Sequence, residues 1–127
     1  MHERGTSSKA WNASGTFGSY GINRWTEVYG GKFSDSRLML TIDSIQSPSE
    51  TPVIVESAWV ECGWINSSNT LPTNFDNPMS AGGSGDLKYV CLDRHNEKIN
   101  FAAADGSARN VRLNITSLLD LQWHKNW

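Results

Sequence analysis

Residues 94–113 read RHNEKINFAAADGSARNVRL, and this stretch decides the fold. Ile99, Phe101 and Ala103 alternate with Asn100, Ala102 and Ala104, and Val111 and Leu113 alternate with Asn110 and Arg112. A period of two marks half-buried strands, so the stretch is read as a β-hairpin turning at Asp105-Gly106. A two-residue loop would set Phe101 opposite Asn110 on one face. A three-residue loop, Ala104-Asp105-Gly106, pairs Ile99 with Val111 and puts Ile99, Phe101, Val111 and Leu113 together. A slip of one residue flips every side chain, so the apolar face selects the three-residue loop. Gly106 then falls at the left-handed position of the turn, where the absence of a Cβ removes the strain.

The chain has 127 residues, enough for one domain with a modest core. Net charge is −2 and pI about 5.8, which leaves no basic footprint for nucleic acid. Charged residues make up 19%, below the typical share of about 25%, while Gly, Ser, Asn and Trp are plentiful. This composition favours a loop-rich, mainly β, extracytoplasmic domain. No run approaches the roughly 20 apolar residues of a membrane-spanning helix.

Outward from the hairpin, residues 1–16 are small and polar and are read as an irregular N-terminal arm, with residues 17–127 as the single globular domain. Phe17, Tyr20, Trp25 and Tyr29 are assigned to the core, with turns at Gly18, Gly21 and Gly30-Gly31. Residues 36–45 are expected to form a short helix from Asp35 or Ser36, with Leu38, Ile42 and Ile45 as its stripe. Pro48 and Pro52 close it. Residues 53–64 are expected to be a central strand, rich in Val, Ile and Trp. Residues 66–86 form a long turn-rich loop pinned by Leu71 and Phe75. A strand over 87–92 leads to the hairpin, and a helix over 117–123 is capped by Thr116 or Ser117.

His95, nine intervening residues and Asp105-Gly106 spell H-X9-DG. Arg94-His95-Asn96, Ile99-Asn100, Ala104-Asp105-Gly106-Ser107, the ending Leu121-Gln122-Trp123-His124-Lys125-Asn126-Trp127 and the upstream Gly18-Ser19-Tyr20-Gly21-Ile22-Asn23 accompany it. Together these resemble the C-terminal domain of prepilin-type proteins, the type IV pilin-like or pseudopilin-like family in its planctomycete-type form. The resemblance covers most of the chain. It implies an α+β fold, mainly antiparallel sheet with short helices and long loops. It also implies a hydrophobic anchoring helix upstream of Met1 and an inner-membrane anchor in the full-length form. The expected task is structural and non-enzymatic, in filament assembly or type II-like secretion, and the partners are other pilin-like subunits or secretion components. The family helix is expected on the face formed by Val53, Val55, Ile99, Phe101, Val111 and Leu113.

The structural motif residues are thus His95, Asp105, Gly106, Trp123 and His124. Extended chain rises about 3.3 Å per residue, so His95 and Asp105 lie too far apart to share a proton. His95 is placed at the open end of the hairpin opposite Ile115, bonding a backbone group or packing on Trp123. Asp105 is assigned to bonds with backbone amides two residues on. Cys62 and Cys91 allow either one disulfide or two buried thiols. No zinc spacing is present, and no cofactor is called for. The alternative is calcium, with Asn74, Asp76, Asn77 and Asp86 as its ligands. The competing function is a carbohydrate-binding or adhesive module, in which Trp11, Trp25, Trp64 or Trp127 would form a solvent-facing platform.

Overall fold

Two antiparallel sheets carry the chain in a computed structural model that describes residues 1–26, 35–39, 41–62, 65–125 and 127. The fold is α+β and mainly antiparallel sheet, with few and short helical elements. No helix among the described residues is long and apolar enough to cross a membrane. The expectations placed on Tyr29, Gly30-Gly31, Leu40, Trp64 and Asn126 fall outside the described residues.

The first sheet is a meander of β1 (His2–Glu3), β2 (Trp11–Ala13) and β3 (Thr16–Gly18). The N-terminal segment is therefore ordered into strands rather than irregular. Its turn is Ser14-Gly15, both at positive φ (53° and 88°), and Asn12 Oδ1 accepts from Gly15 N at 2.9 Å. Two left-handed residues match the twist of the strands they join. Strands of two or three residues are too short for a period to show in sequence. Gly5 N donates to Ala58 O at 2.8 Å and Ser7 N to Asp76 O at 2.9 Å, tying this sheet to the body.

The second sheet has the order β4 (Tyr20–Ile22), β5 (Pro52–Glu56), β6 (Lys98–Ala103) and β7 (Ala108–Arg112). The hairpin β6–β7 has the register selected by its apolar face: Ile99 faces Val111, and Ala103 N donates to Ser107 O at 2.9 Å. β5 is central, as expected, but stops at Glu56 rather than running to residue 64. Beyond Ser57 the chain crosses to the other edge of β4. Ile22 N donates to Val60 O at 3.0 Å and Cys62 N to Ile22 O at 2.8 Å. Gly21 permits this crossing, because a Cβ there would sit 2.4 Å from the Trp59 carbonyl oxygen.

Phe17 and Tyr20, assigned to the core, are exposed instead, on short strands that turn them outward, and three elements also differ from expectation. The helix over 36–45 reduces, among its described residues, to the 3-10 turn Ile42–Ser44. Met39 N donates to Trp25 O at 2.7 Å, a bond across the core that replaces any intrahelical one. Leu38 and Met39 are buried, while Ile42 is exposed. Residues 87–92 contain the 3-10 turn Asp86–Val90 instead of a strand, with Leu87, Val90, Cys91 and Leu92 all buried. The adjacent Lys88 and Tyr89 interrupt the apolar residues without the alternation of a strand, and so short a run does not separate strand from helix by its period. The terminal helix α1 spans Ile115–Leu119 and is capped by Asn114, whose Oδ1 accepts from Ser117 N at 2.8 Å.

Alternation gives the four-stranded sheet two faces. Val55, Ile99 and Phe101 point into the core, against Trp25, Leu87 and Trp123. The face assigned to the family helix is thus filled by the chain itself. The opposite face carries Tyr20, Ile22 and Ile54, all exposed, beside half-buried Ala102. Ile22 pairs with Ile54 and Ile54 with Ala102, so the stripe crosses three strands. The loop over 66–86 is cross-linked by Ser84 N to Thr70 O (3.2 Å) and Thr73 N to Ala81 O (2.9 Å), and Leu71 and Phe75 pack on the core.

Candidate functional site

His95 does not reach Trp123 or a backbone group; it bonds Glu56. His95 Nε2 lies 2.7 Å from Glu56 Oε1, and the other carboxylate oxygen accepts from Asn100 N at 2.7 Å. The Glu56 side chain is 2% exposed and that of His95 47%. A buried carboxylate is tolerated where partners replace its water, and here both oxygens have one. Ladder pairing ends at Lys98 with Arg112, and Asn96 and Glu97 adopt positive φ (54° and 60°). That turn takes His95 off the line of β6 and towards the end of β5, so it does not stand opposite Ile115. Asp93 Oδ1 holds the turn by accepting from Glu97 N at 2.6 Å.

Arg94, the preceding residue, donates to Thr6 O (2.9 Å), Ser19 O (2.9 Å) and Lys9 O (3.2 Å). Burial lowers its pKa, and the Glu56 carboxylate acts in the opposite direction. Arg94 and His95 thus fasten both sheets to one corner of β5. A carboxylate on one imidazole nitrogen orients a histidine for general-base work. Among the described residues no hydroxyl or thiol bonds the His95 ring.

Asp105 and Gly106 lie at the far end of β6. Asp105 Oδ1 accepts from Ser107 N (2.9 Å) and Ser107 Oγ (2.6 Å), which holds its carboxyl below the usual range. Gly106 has φ 87°, and its N–H donates to Ala103 O at 3.0 Å. At the Asp105 end β6 pairs with Pro52, and at the His95 end the partner is Glu56. Those positions are four steps apart along β5, about 13 Å at strand rise. The structure does not bring His95 and Asp105 together.

Trp123 and His124 belong to the core. Trp123 is fully buried, and its Nε1 donates to Leu118 O at 2.7 Å. His124 stands edge-on between Trp25 (5.3 Å) and Trp127 (5.1 Å). Its pKa is lowered, first by burial and then by Arg37, with Asp35 opposing. Asn23 binds this end to the sheet: its Nδ2 donates to Pro52 O (2.9 Å) and Trp123 O (3.0 Å). Gln122 Oε1 accepts from Ser47 N (2.8 Å) and Thr51 Oγ1 (3.1 Å), fixing the 3-10 turn Pro48–Glu50.

Cys62 and Cys91 are buried thiols not joined in a disulfide, and burial pushes the Cys91 thiol up to about 12. The four residues named for calcium lie in turns of the 66–86 loop. Asn74 Oδ1 accepts from Asp76 N at 2.8 Å, Asn77 precedes the 3-10 turn Pro78–Ser80, and Asp86 opens the turn Asp86–Val90. Among the described residues no group of three or more His, Cys, Asp or Glu side chains is arranged around a metal position. Trp11 and Trp25 are buried, and Trp127 is half-buried with its Nε1 bonded to Leu119 O at 2.6 Å. These three form no solvent-facing platform.

Sequence reasoning missed Glu56, Arg94, Asn23 and Gln122 as organising residues. The signal for Glu56 was a lone acid ending the apolar run Val53-Ile54-Val55, where a charge must be paired or exposed. Its partner lies 39 residues away, beyond any local pattern. The remaining candidate is the exposed stripe Tyr20, Ile22 and Ile54, with half-buried Ala102 beside it. No family model, no curated protein and no solved structure matches the chain.

Proposed function

We propose that this chain is the non-catalytic globular domain of a type IV pilin-like or pseudopilin-like protein, carried outside the inner membrane and working in filament assembly or type II-like secretion. The observation that carries the reading is the uncovered apolar stripe on the outer face of the four-stranded sheet. A sheet needs an apolar cover on each apolar face, and an amphipathic helix supplies one. The occupant in this reading is the anchoring helix of the full-length protein, laid across Ile22 and Ile54. The H-X9-DG residues serve it as scaffold: His95 and Arg94 secure one end of the sheet, and Asp105-Gly106 closes the other.

The test is Ile22→Glu with Ile54→Glu in the full-length protein. Both positions are exposed, so unfolding of the isolated domain should change by no more than about 0.5 kcal/mol each. Incorporation into filaments with other pilin-like subunits should be lost. Normal incorporation of the doubly substituted protein contradicts the reading.

A further inference from the structure

The four-stranded sheet has two edges, and the chain treats them differently. The β4 edge is taken up: Ile22 N donates to Val60 O at 3.0 Å and Cys62 N to Ile22 O at 2.8 Å. The β7 edge is open. In an antiparallel ladder, pairs that exchange hydrogen bonds alternate with pairs that do not. Ala103 N donates to Ser107 O and Leu113 N to Glu97 O, both at 2.9 Å, so in the same phase Arg109 bonds Phe101 and Val111 bonds Ile99. The N–H and C=O groups of Ala108, Asn110 and Arg112 therefore point away from β6. Asn114 N donates to the Arg112 carbonyl at 2.9 Å. Among the described residues no other hydrogen bond reaches these outward groups. An open edge is a template for a further strand, and proteins guard such edges with proline, bulges or covering segments. Among the described residues β7 has none of these guards. Its residues ARNVR keep an unbroken register against β6, and all are exposed except half-buried Val111. The Arg109 side chain is turned aside, donating to Ser49 O at 2.8 Å.

We propose that β7 is a dimer edge, on which a second copy of this chain lays its own β7 antiparallel about a two-fold axis at Asn110. The strand is complementary to itself in that register. Asn110 meets Asn110, each Arg112 N–H meets the Ala108 carbonyl of the second copy, and Arg109 lies across from Val111. Only an axis at Asn110 matches β7 end to end. Axes at Arg109 or Arg112 would set arginine directly against arginine, and like charges opposite one another across strands are unfavourable. The axis stands perpendicular to the joined sheet, so the outer faces of both copies lie on the same side. The stripe of Ile22 and Ile54 stays uncovered in such a dimer, and the inference stands whether or not the pilin-like reading does.

One short strand buries little area, so the dimer is expected to be weak, with a Kd in the micromolar range. The experiment is analytical ultracentrifugation of the whole chain from about 1 μM to about 500 μM, with amide hydrogen exchange at both ends of that range. The dimer fraction should grow with concentration. The Asn110 and Arg112 amides should gain protection with it, while those of Arg109 and Val111 are protected throughout. Ala108 is exposed and faces Arg112 of the second copy in this register. Ala108→Glu should therefore tighten the dimer and Ala108→Arg weaken it, each by about threefold or more. Asn110→Pro removes an N–H that β6 does not use, and should leave a monomer with the hairpin intact. A monomer at every concentration, Asn110 exchange that ignores concentration, or a dimer indifferent to both Ala108 substitutions overturns the inference.

Discussion

His95 Nε2 and Glu56 Oε1 stand 2.7 Å apart, joining the turn before β6 to the last residue of β5. The second Glu56 oxygen takes the Asn100 N–H, so one carboxylate serves both a side chain and the strand backbone. Glu56→Ala removes both acceptors and leaves a backbone N–H without its partner. It is expected to cost about 3 kcal/mol in urea unfolding. Glu56→Gln keeps an oxygen for Asn100 and should cost about half as much. A loss below about 0.5 kcal/mol for the alanine variant would show that the pair carries no weight.

Gly106 isolates a backbone effect. An added Cβ there meets nothing within 4 Å, so a substitution acts only through its φ of 87°. Gly106→Val should lower stability by about 1–2 kcal/mol, and Gly106→Asn by far less, since asparagine tolerates the left-handed region. Thermal melts of the two variants check this, and equal melting temperatures would contradict a left-handed residue 106.

Gly21 is the opposite case, with an ordinary φ and no room. A Cβ at Gly21 would sit 2.4 Å from the Trp59 carbonyl oxygen, which belongs to backbone that cannot swing aside. Gly21→Ala must push β4 away from residues 59–60. We expect a loss of about 2 kcal/mol or more in urea unfolding, in the range of overpacked cores. A loss below about 0.5 kcal/mol would show that this crossing is loosely packed.

His124 gives a pH dependence with a definite sign. Burial first, and Arg37 next, hold its pKa below the ordinary 6.5. The unfolded chain therefore takes up the proton more readily than the folded one. Stability should fall as pH drops through about 6.5 and stop falling below the lowered folded value. His124→Gln should flatten that part of the profile, measured as urea midpoints between pH 7.5 and pH 5. An unchanged profile would show that His124 titrates alike in both states.

The hairpin was legible because one face had to be apolar and only one loop length achieves it: Ile99 against Val111 leaves no second register. Elements decided by distant partners were not legible. Met39 bonds Trp25, Gln122 fixes residues 47–51, and Glu56 answers to His95, each across sequence gaps that no window spans. Residues 87–92 misled because the adjacent Lys88 and Tyr89 in a six-residue run fit neither a strand's alternation nor a helical stripe. The two sheet faces were visible as alternation, but which one the chain covers itself was not. Val55, Ile99 and Phe101 were the more apolar set, and the chain buries that set beneath Trp25 and Trp123, leaving Ile22 and Ile54 outside.

The central claim is that His95 and Asp105 are separate structural fixtures, with His95 working through Glu56. Two double-mutant cycles on unfolding free energy test it, one over Glu56→Gln and His95→Ala, the other over His95→Ala and Asp105→Ala. Residues in contact couple by about 0.5–3 kcal/mol, whereas distant ones add within about 0.3–0.5 kcal/mol. The account predicts coupling of about 1 kcal/mol or more for Glu56 with His95 and additivity for His95 with Asp105. Coupling between His95 and Asp105, or additivity of Glu56 and His95, would contradict it.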